Sequence, residues 1–349
     1  MKTRNLKFGY LIKLMLVVSY MNAQDIHFSQ ANFSTANINP AYACLNFSQN
    51  AVILYRSQWQ SISFPYKTMY ASFDSKLTRP KYRSKGYLAG GLSFFSDQAG
   101  EVKVSNNNVG LSLAYFIKLS KYSTLGAAIL TRYNQRSINF DAARWGTQYN
   151  GLQFDAALNS FESANNNSIS FVDFGGGITY GFKKTEKYSR GTEQFWFNSG
   201  LAVYHINKSK YGLMFKENDR LYQRYIFFAN SVIGFSSSYV YLAPSIMYQI
   251  QGPSSELLAG SYVKIQISEK STFTNARQNA AISPGIFYRN KDAIIFKFLF
   301  EFGNYSIGFA YDYNVSRFNL ATRSRGGFEI MLRYVNPSPF SGRINRARI

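Results

Sequence analysis

Residues 292–315 read DAIIFKFLFEFGNYSIGFAYDYNV, and residues 327–335 read GFEIMLRYV. At a period of two, Ile294, Phe296, Phe298, Phe300 and Phe302 share one side, while Lys297, Leu299 and Glu301 share the other. After Gly303 and Asn304, the residues Tyr305, Ile307, Phe309, Tyr311 and Tyr313 stand against Ser306, Gly308, Ala310, Asp312 and Asn314. Phe328, Ile330, Leu332 and Tyr334 then oppose Gly327, Glu329, Met331 and Arg333. Side chains alternate between the faces of a strand, so this is a three-strand meander with one aromatic face and one small or charged face. A soluble sandwich would bury the aromatic face. A membrane barrel turns it to lipid and lines its lumen with the other.

Working outward, the same pattern predicts strands over Asn50–Trp59, Tyr66–Lys76, Gly86–Ser96, Val104–Leu119, Tyr122–Arg132, Ile169–Phe182, Glu193–Ile206, Tyr222–Phe235, Tyr239–Ile250, Glu256–Ser268 and Asn279–Asn290. With the opening three they make fourteen. Many reach ten residues or more, the length a tilted strand needs to cross a bilayer and longer than an average soluble strand. Val263, Ile265 and Ile267 alternate with Lys264, Gln266 and Ser268; Trp196 and Tyr204 break the pattern by falling on the small, polar face of their strand. The expected fold is therefore all-β, a transmembrane antiparallel up-and-down barrel. An even strand count places both ends on the periplasmic side, which leaves the longer links, such as Tyr133–Ser168, outside and most short turns inside.

Composition agrees with alternation: 27 Tyr and 31 Phe sit in a chain with 39 basic and 18 acidic residues. Residues 1–23 have a basic start, a short apolar run from Leu14 to Tyr20 and a small residue before Gln24, as a secretory signal peptide does. Residues 24–49 carry no period and read as coil or short helical turns, 50–335 as the barrel, and 336–349 as a basic periplasmic tail. The lone Cys44 excludes an internal disulfide framework. A formal charge of +21, four units of it in Lys2, Arg4, Lys7 and Lys13, favours anionic partners, but no nucleic-acid-binding pattern accompanies it.

Chemistry is sparse. Two histidines, His27 and His205, give little material for a metal site or a Ser-His pair, and His205 falls on the lipid-facing parity. No phosphate loop, CxxC or close carboxylate pair is present, so neither an enzyme nor a cofactor is expected. Charged residues with inward parity are more informative: Arg56, Asp74, Asp173, Lys264, Arg289, Lys297, Glu301, Asp312, Glu329 and Arg333. They could line an ion-selective pore or pair into a network that closes the lumen, and their mixed signs favour pairing. In the link after the second strand, Lys76, Arg79, Lys81, Arg83 and Lys85 form either a periplasmic docking surface or a solvated turn near lipid phosphate.

Three N-terminal motifs carry a resemblance: Gln24-Asp25-Ile26-His27-Phe28-Ser29-Gln30, Asn39-Pro40-Ala41-Tyr42-Ala43 and Tyr55-Arg56-Ser57-Gln58-Trp59. Together they resemble the opening of the PorP/SprF-type membrane proteins of the Bacteroidetes type IX secretion and gliding systems. Ile26 stands where that family usually has Pro, and Cys44 where it has Gly. Weaker matches lie at Tyr288-Arg289, Ala310-Tyr311-Asp312-Tyr313 and Gly327-Phe328-Glu329-Ile330. The resemblance implies an outer-membrane barrel, set in lipid, that supports export or surface attachment of adhesin-like cargo bearing C-terminal signal domains. It also implies contact with the ring-forming periplasmic lipoprotein and core components. A porin or hydrophobic-solute transporter is the alternative. On parity, Tyr55 and Trp59 face outward, while Arg56 and Gln58 point inward to pin residues 24–49 as a plug in or across the periplasmic mouth; Asn39-Pro40 would fix a turn.

Overall fold

The computed structural model describes residues 25–337 apart from 60–63, 79–84, 140–142, 156, 162–167, 189–190, 213–218, 236–237, 269–277 and 317–323. The predicted signal peptide and the end of the basic tail lie outside the described residues, as do Arg79, Lys81 and Arg83. Fourteen strands form the wall: β1 Gln49–Gln58, β2 Tyr66–Lys76, β3 Gly86–Ala99, β4 Val104–Lys118, β5 Ser123–Ser137, β6 Ser168–Tyr188, β7 Gly191–Tyr204, β8 Arg224–Gly234, β9 Val240–Gln251, β10 Ser254–Ser268, β11 Ala280–Arg289, β12 Ala293–Phe302, β13 Tyr305–Asn314 and β14 Arg325–Asn336. Each pairs antiparallel with its sequence neighbours, and β1 closes on β14 from Gln49↔Asn336 to Gln58↔Gly327. Closure removes the sheet edges, whose unpaired amides could find no partner in lipid.

The alternation behaves as a barrel requires. In β13, Tyr305, Ile307, Phe309, Tyr311 and Tyr313 are exposed, and Ser306, Gly308, Ala310, Asp312 and Asn314 are buried. The apolar girdle faces outward, and the core lies inside the wall. Pro244 and Pro284 point outward, and the ladder is interrupted beside each. The β8–β9 pairing skips from Asn230↔Ser245 to Ile233↔Leu242, and β10–β11 skips from Tyr262↔Gly285 to Ile265↔Ile282, as the missing amide hydrogens demand.

The strands outrun the sequence expectation in places. Lys183–Thr192, expected as a link, instead extends the β6–β7 hairpin to Tyr188↔Gly191, and β5 continues to Ser137. Lys183 keeps its place in the ladder with its ammonium 3.8 Å over the ring of its register partner Trp196, so charge misplaced the boundary. Both wall termini emerge at one end, here the terminal end, with the Gly303-Asn304 hairpin. The long link between β5 and β6 belongs to the opposite, distal end.

Candidate functional site

The lumen is occupied by the chain's own N-terminal segment, Asp25 to Ser48. It contains a 3-10 turn at Ala31–Phe33, the short helix α1 at Thr35–Ile38 and a second 3-10 turn at Pro40–Tyr42. At the terminal end it joins the wall: Ser48 N donates to Asn336 O (2.7 Å), Lys76 N to Ser48 O (2.8 Å) and Tyr87 Oη to Cys44 O (3.2 Å). At the distal end, Asp25 N donates to Gln251 Oε1 (2.9 Å). The segment thus runs the length of the lumen, where the sequence led us to expect it at one mouth. Its apolar side chains explain this. Phe28 packs against Tyr70 and Phe95 with ring centroids 6.1 and 6.2 Å away, and Ile38 and Ala31 join a core with Phe228, Phe287 and Ile295.

Asn39-Pro40 is the central anchor. Pro40 opens its 3-10 turn, where a missing N–H costs nothing, and Asn39 Oδ1 caps that turn by accepting from Ala41 N (2.8 Å). Its Nδ2 donates to two wall carbonyls, Ile178 O in β6 (2.9 Å) and Leu201 O in β7 (3.0 Å). Glycines make that approach possible. A Cβ on Gly177 would lie 2.4 Å from Asn39 Oδ1, and one on Gly200 2.8 Å from Nδ2. Tyr204, the aromatic that broke the alternation of its strand, is fully buried and donates to Ala36 O (2.9 Å).

The His27–Gln30 stretch is clamped by buried charge. Glu329 accepts two consecutive amides, Ser29 N at 2.6 Å and Gln30 N at 2.8 Å, while Ser29 Oγ donates to Asp312 (2.6 Å). Arg56 Nη2 reaches Asp312 (3.1 Å), Arg56 Nε lies 3.3 Å from Glu329, and Arg56 also donates to His27 O. Arg289 bonds Asp312 and donates to Ser29 Oγ (2.8 Å). Two guanidinium groups thus face two carboxylates, all four nearly inaccessible, with the leftover acceptors satisfied by backbone amides. That is the condition under which buried charge is tolerated. His27 accepts from Arg289 through Nε2 (2.6 Å) and presents Nδ1 to Glu256 (3.0 Å). Burial, reinforced by Arg289 and Arg56, holds its imidazole well below the usual histidine range, so the ring is neutral.

A second cluster holds the start of the segment. Asp25 lies 2.7 Å from His205 Nε2 and 3.3 Å from Arg224 Nη1, and His205 Nδ1 lies 3.0 Å from Asp173. Burial opposes ionisation of Asp25, but His205 and Arg224 more than offset it, and the carboxyl titrates far below the ordinary range. Burial likewise disfavours the charged His205 ring, yet Asp25 and Asp173 push its pKa up to about 9. The lipid-facing placement expected for His205 is corrected: its φ of 58° ends the alternation after Tyr204 and turns the ring inward. Sequence reasoning missed Asp25, Arg224 and Glu256 as members of these clusters. For Arg224 and Glu256 the available signal was a charged residue on an inward position near a strand end, and for Asp25 its place in the first N-terminal motif.

The remaining candidates distribute as follows. Tyr55 is exposed on the outer face, and Trp59, with φ 54°, packs on Tyr66 at 4.8 Å. Gln58 shares Arg56's face and sits against Gly327. Glu301 pairs with Lys264 (2.6 Å), two strands away, rather than with a neighbour in the meander. Lys297 lies 3.5 Å over the Phe287 ring, and Arg333 donates to Asn50 Oδ1 (2.8 Å) between the rings of Phe33 and Phe47. The pairing that mixed signs favour among the inward charges therefore does not form between Lys297, Glu301, Asp312, Glu329 and Arg333, the members on β12, β13 and β14. These residues reach partners on β1, β10 and β11: Arg56 stands directly opposite Glu329 across the β1–β14 seam, while Lys264–Glu301 and Arg289–Asp312 each skip one strand on the curved wall. Lys76 packs over Tyr87 at 4.2 Å, and Lys85 is exposed at the terminal end.

Among solved structures, the chain is similar to a Haemophilus ducreyi BamA lacking POTRA domains 1–3, at 8% identity and TM-score 0.43 over 83% of this chain and 70% of that one. It is also similar to a Pseudomonas aeruginosa FadL homologue, at 11% identity and TM-score 0.40 over 85% and 92%. No curated protein matches it. The model of the type IX secretion system membrane protein family PorP/SprF matches residues 20–334, taking in the segment, its anchors and nearly the whole wall, and the chain belongs to that family.

Proposed function

We propose that this protein is a non-enzymatic, outer-membrane accessory or anchor barrel of type IX secretion, supporting export or surface attachment of adhesin-like cargo. In this reading the N-terminal segment plugs the lumen, and cargo and periplasmic components engage the barrel at its ends instead of passing through it. The observation that carries the reading is the buried clamp of Arg56, Arg289, Asp312 and Glu329 on His27–Gln30, in a chain matched by the family over residues 20–334. A segment held by paired buried charges along the whole lumen is a poor gate for solutes, since each opening would strand charges in a low-dielectric interior. The porin or solute-transporter alternative requires that segment to leave.

Both termini of the wall share one end, which an even-stranded barrel turns to the periplasm. Ring lipoprotein and core components would meet the barrel there, with Lys76 and Lys85 on the rim. Affinity purification from native membranes, with identification of bound proteins, tests the proposal. Recovery of a type IX component or a surface adhesin supports it; a barrel that repeatedly purifies with neither contradicts it.

A further inference from the structure

At the distal end, beside Asp25 and Asn37 of the N-terminal segment, the wall lines a half-open cavity of about 170 Å³. Its side is built from two neighbouring strands. Asn106 and Asn108 of β4 pair in register with Arg136 and Asn134 of β5, so four polar side chains stand together on the lumen face. Asn106 and Asn108 have no side-chain hydrogen bond among the described residues. Arg136 meets no carboxylate there either, and only faces the Tyr211 ring at 5.1 Å. Deeper in, buried Arg132 donates to Ala36 O (2.7 Å) and Asn37 Oδ1 (2.8 Å), but its Nε has no acceptor. The carboxylates at the cavity are already engaged: Asp25 with His205 and Arg224, and Asp97 as acceptor from Thr68 Oγ1 (2.7 Å). The uncommitted groups are thus the Arg136 guanidinium and the amides of Asn106 and Asn108, and Phe171, the register neighbour of Asn134 on β6, adds an apolar face.

We propose that this cavity is a binding site for a small hydroxylated carboxylate of the uronic acid class. Arg136 would take the carboxylate as a charge-assisted pair. Asn106, Asn108 and Asn134 each offer a donor and an acceptor, as ring hydroxyls require. Phe171 and Tyr211 provide flat surfaces for the apolar side of a sugar ring. The cavity has room for one sugar ring. The site does not depend on the secretion role, and its failure would leave that role untouched.

Isothermal titration of the detergent-purified full chain with D-galacturonate and with D-galactose tests the proposal. Saturable galacturonate binding is expected, with galactose at least about tenfold weaker, a difference of ~1.4 kcal/mol. Arg136→Gln and the double change Asn106→Ala/Asn108→Ala should each weaken galacturonate by about tenfold or more, a further ~1.4 kcal/mol in each case. Both lie on half-buried wall positions, and retention of the heat-sensitive compact band on gels verifies folding. The proposal is overturned by galacturonate that never saturates, by galactose binding as tightly, or by binding that survives both variants unchanged.

Discussion

Glu329 does three things at once: it accepts the amides of Ser29 and Gln30 and lies against Arg56. Glu329→Gln keeps the shape but leaves Arg56 and Arg289 facing Asp312 alone. Removing one partner of a buried ion pair costs about 3–5 kcal/mol, so the unfolding midpoint should fall and cleavage within residues 25–48 should quicken under limited proteolysis. Lumen residues that touch no part of the segment, such as Gln266, should not have this effect. The two histidines give seating of the segment a pH dependence with two opposite limbs. His27 is depressed in the folded chain from 6.5, so below that pH the released state takes up a proton that the seated state refuses, and seating weakens as pH falls. His205 is raised to about 9, so its contribution is complete below 6.5 and is lost as pH rises through 9. Proteolytic protection of the segment should therefore peak near pH 6.5. His205→Gln should flatten the alkaline limb, and His27→Asn the acid limb; a monotonic profile in the parent chain would contradict this assignment.

At the scale of elements, the Asn39 anchor and its glycine seats act as one joint between the segment and the β6–β7 hairpin. Asn39→Ala removes two donors to wall carbonyls and the cap of the following turn, a loss of about 1–3 kcal/mol that hydrogen exchange should register at Ala36–Tyr42 before any change in the wall. Gly177→Ala should reproduce that loosening with Asn39 intact, because its methyl would occupy the space of the Asn39 amide oxygen. The strands themselves were legible from the sequence. In β12, β13 and β14 the period of two alone assigns the faces, since lipid imposes the alternation on every residue. Where the reading failed, a local device had overridden the period: the left-handed His205 after β7, or the rim charges that hid the continuation of β6 into β7. The Tyr204 irregularity was visible in the sequence, but its partner was not. Nothing in one chain tells that an aromatic on β7 meets Ala36, or that Ser29 meets a carboxylate 300 residues away.

For the molecule as a whole, these contacts make the segment part of the barrel's core. Fourteen strands enclose more space than their own side chains can fill, and Phe28, Phe33, Ile38 and Ala41 occupy it. The lumen should therefore be closed to ions. Single-channel recording in planar bilayers, comparing the full chain with a variant lacking residues 25–47 and with the unlatched pair Asp312→Asn/Glu329→Gln, tests this most directly. The parent should be silent, the deletion should open a steady pore, and the unlatched variant should flicker between the two. A parent that conducts steadily, or a folded deletion variant as silent as the parent, would contradict the claim that the N-terminal segment seals the barrel.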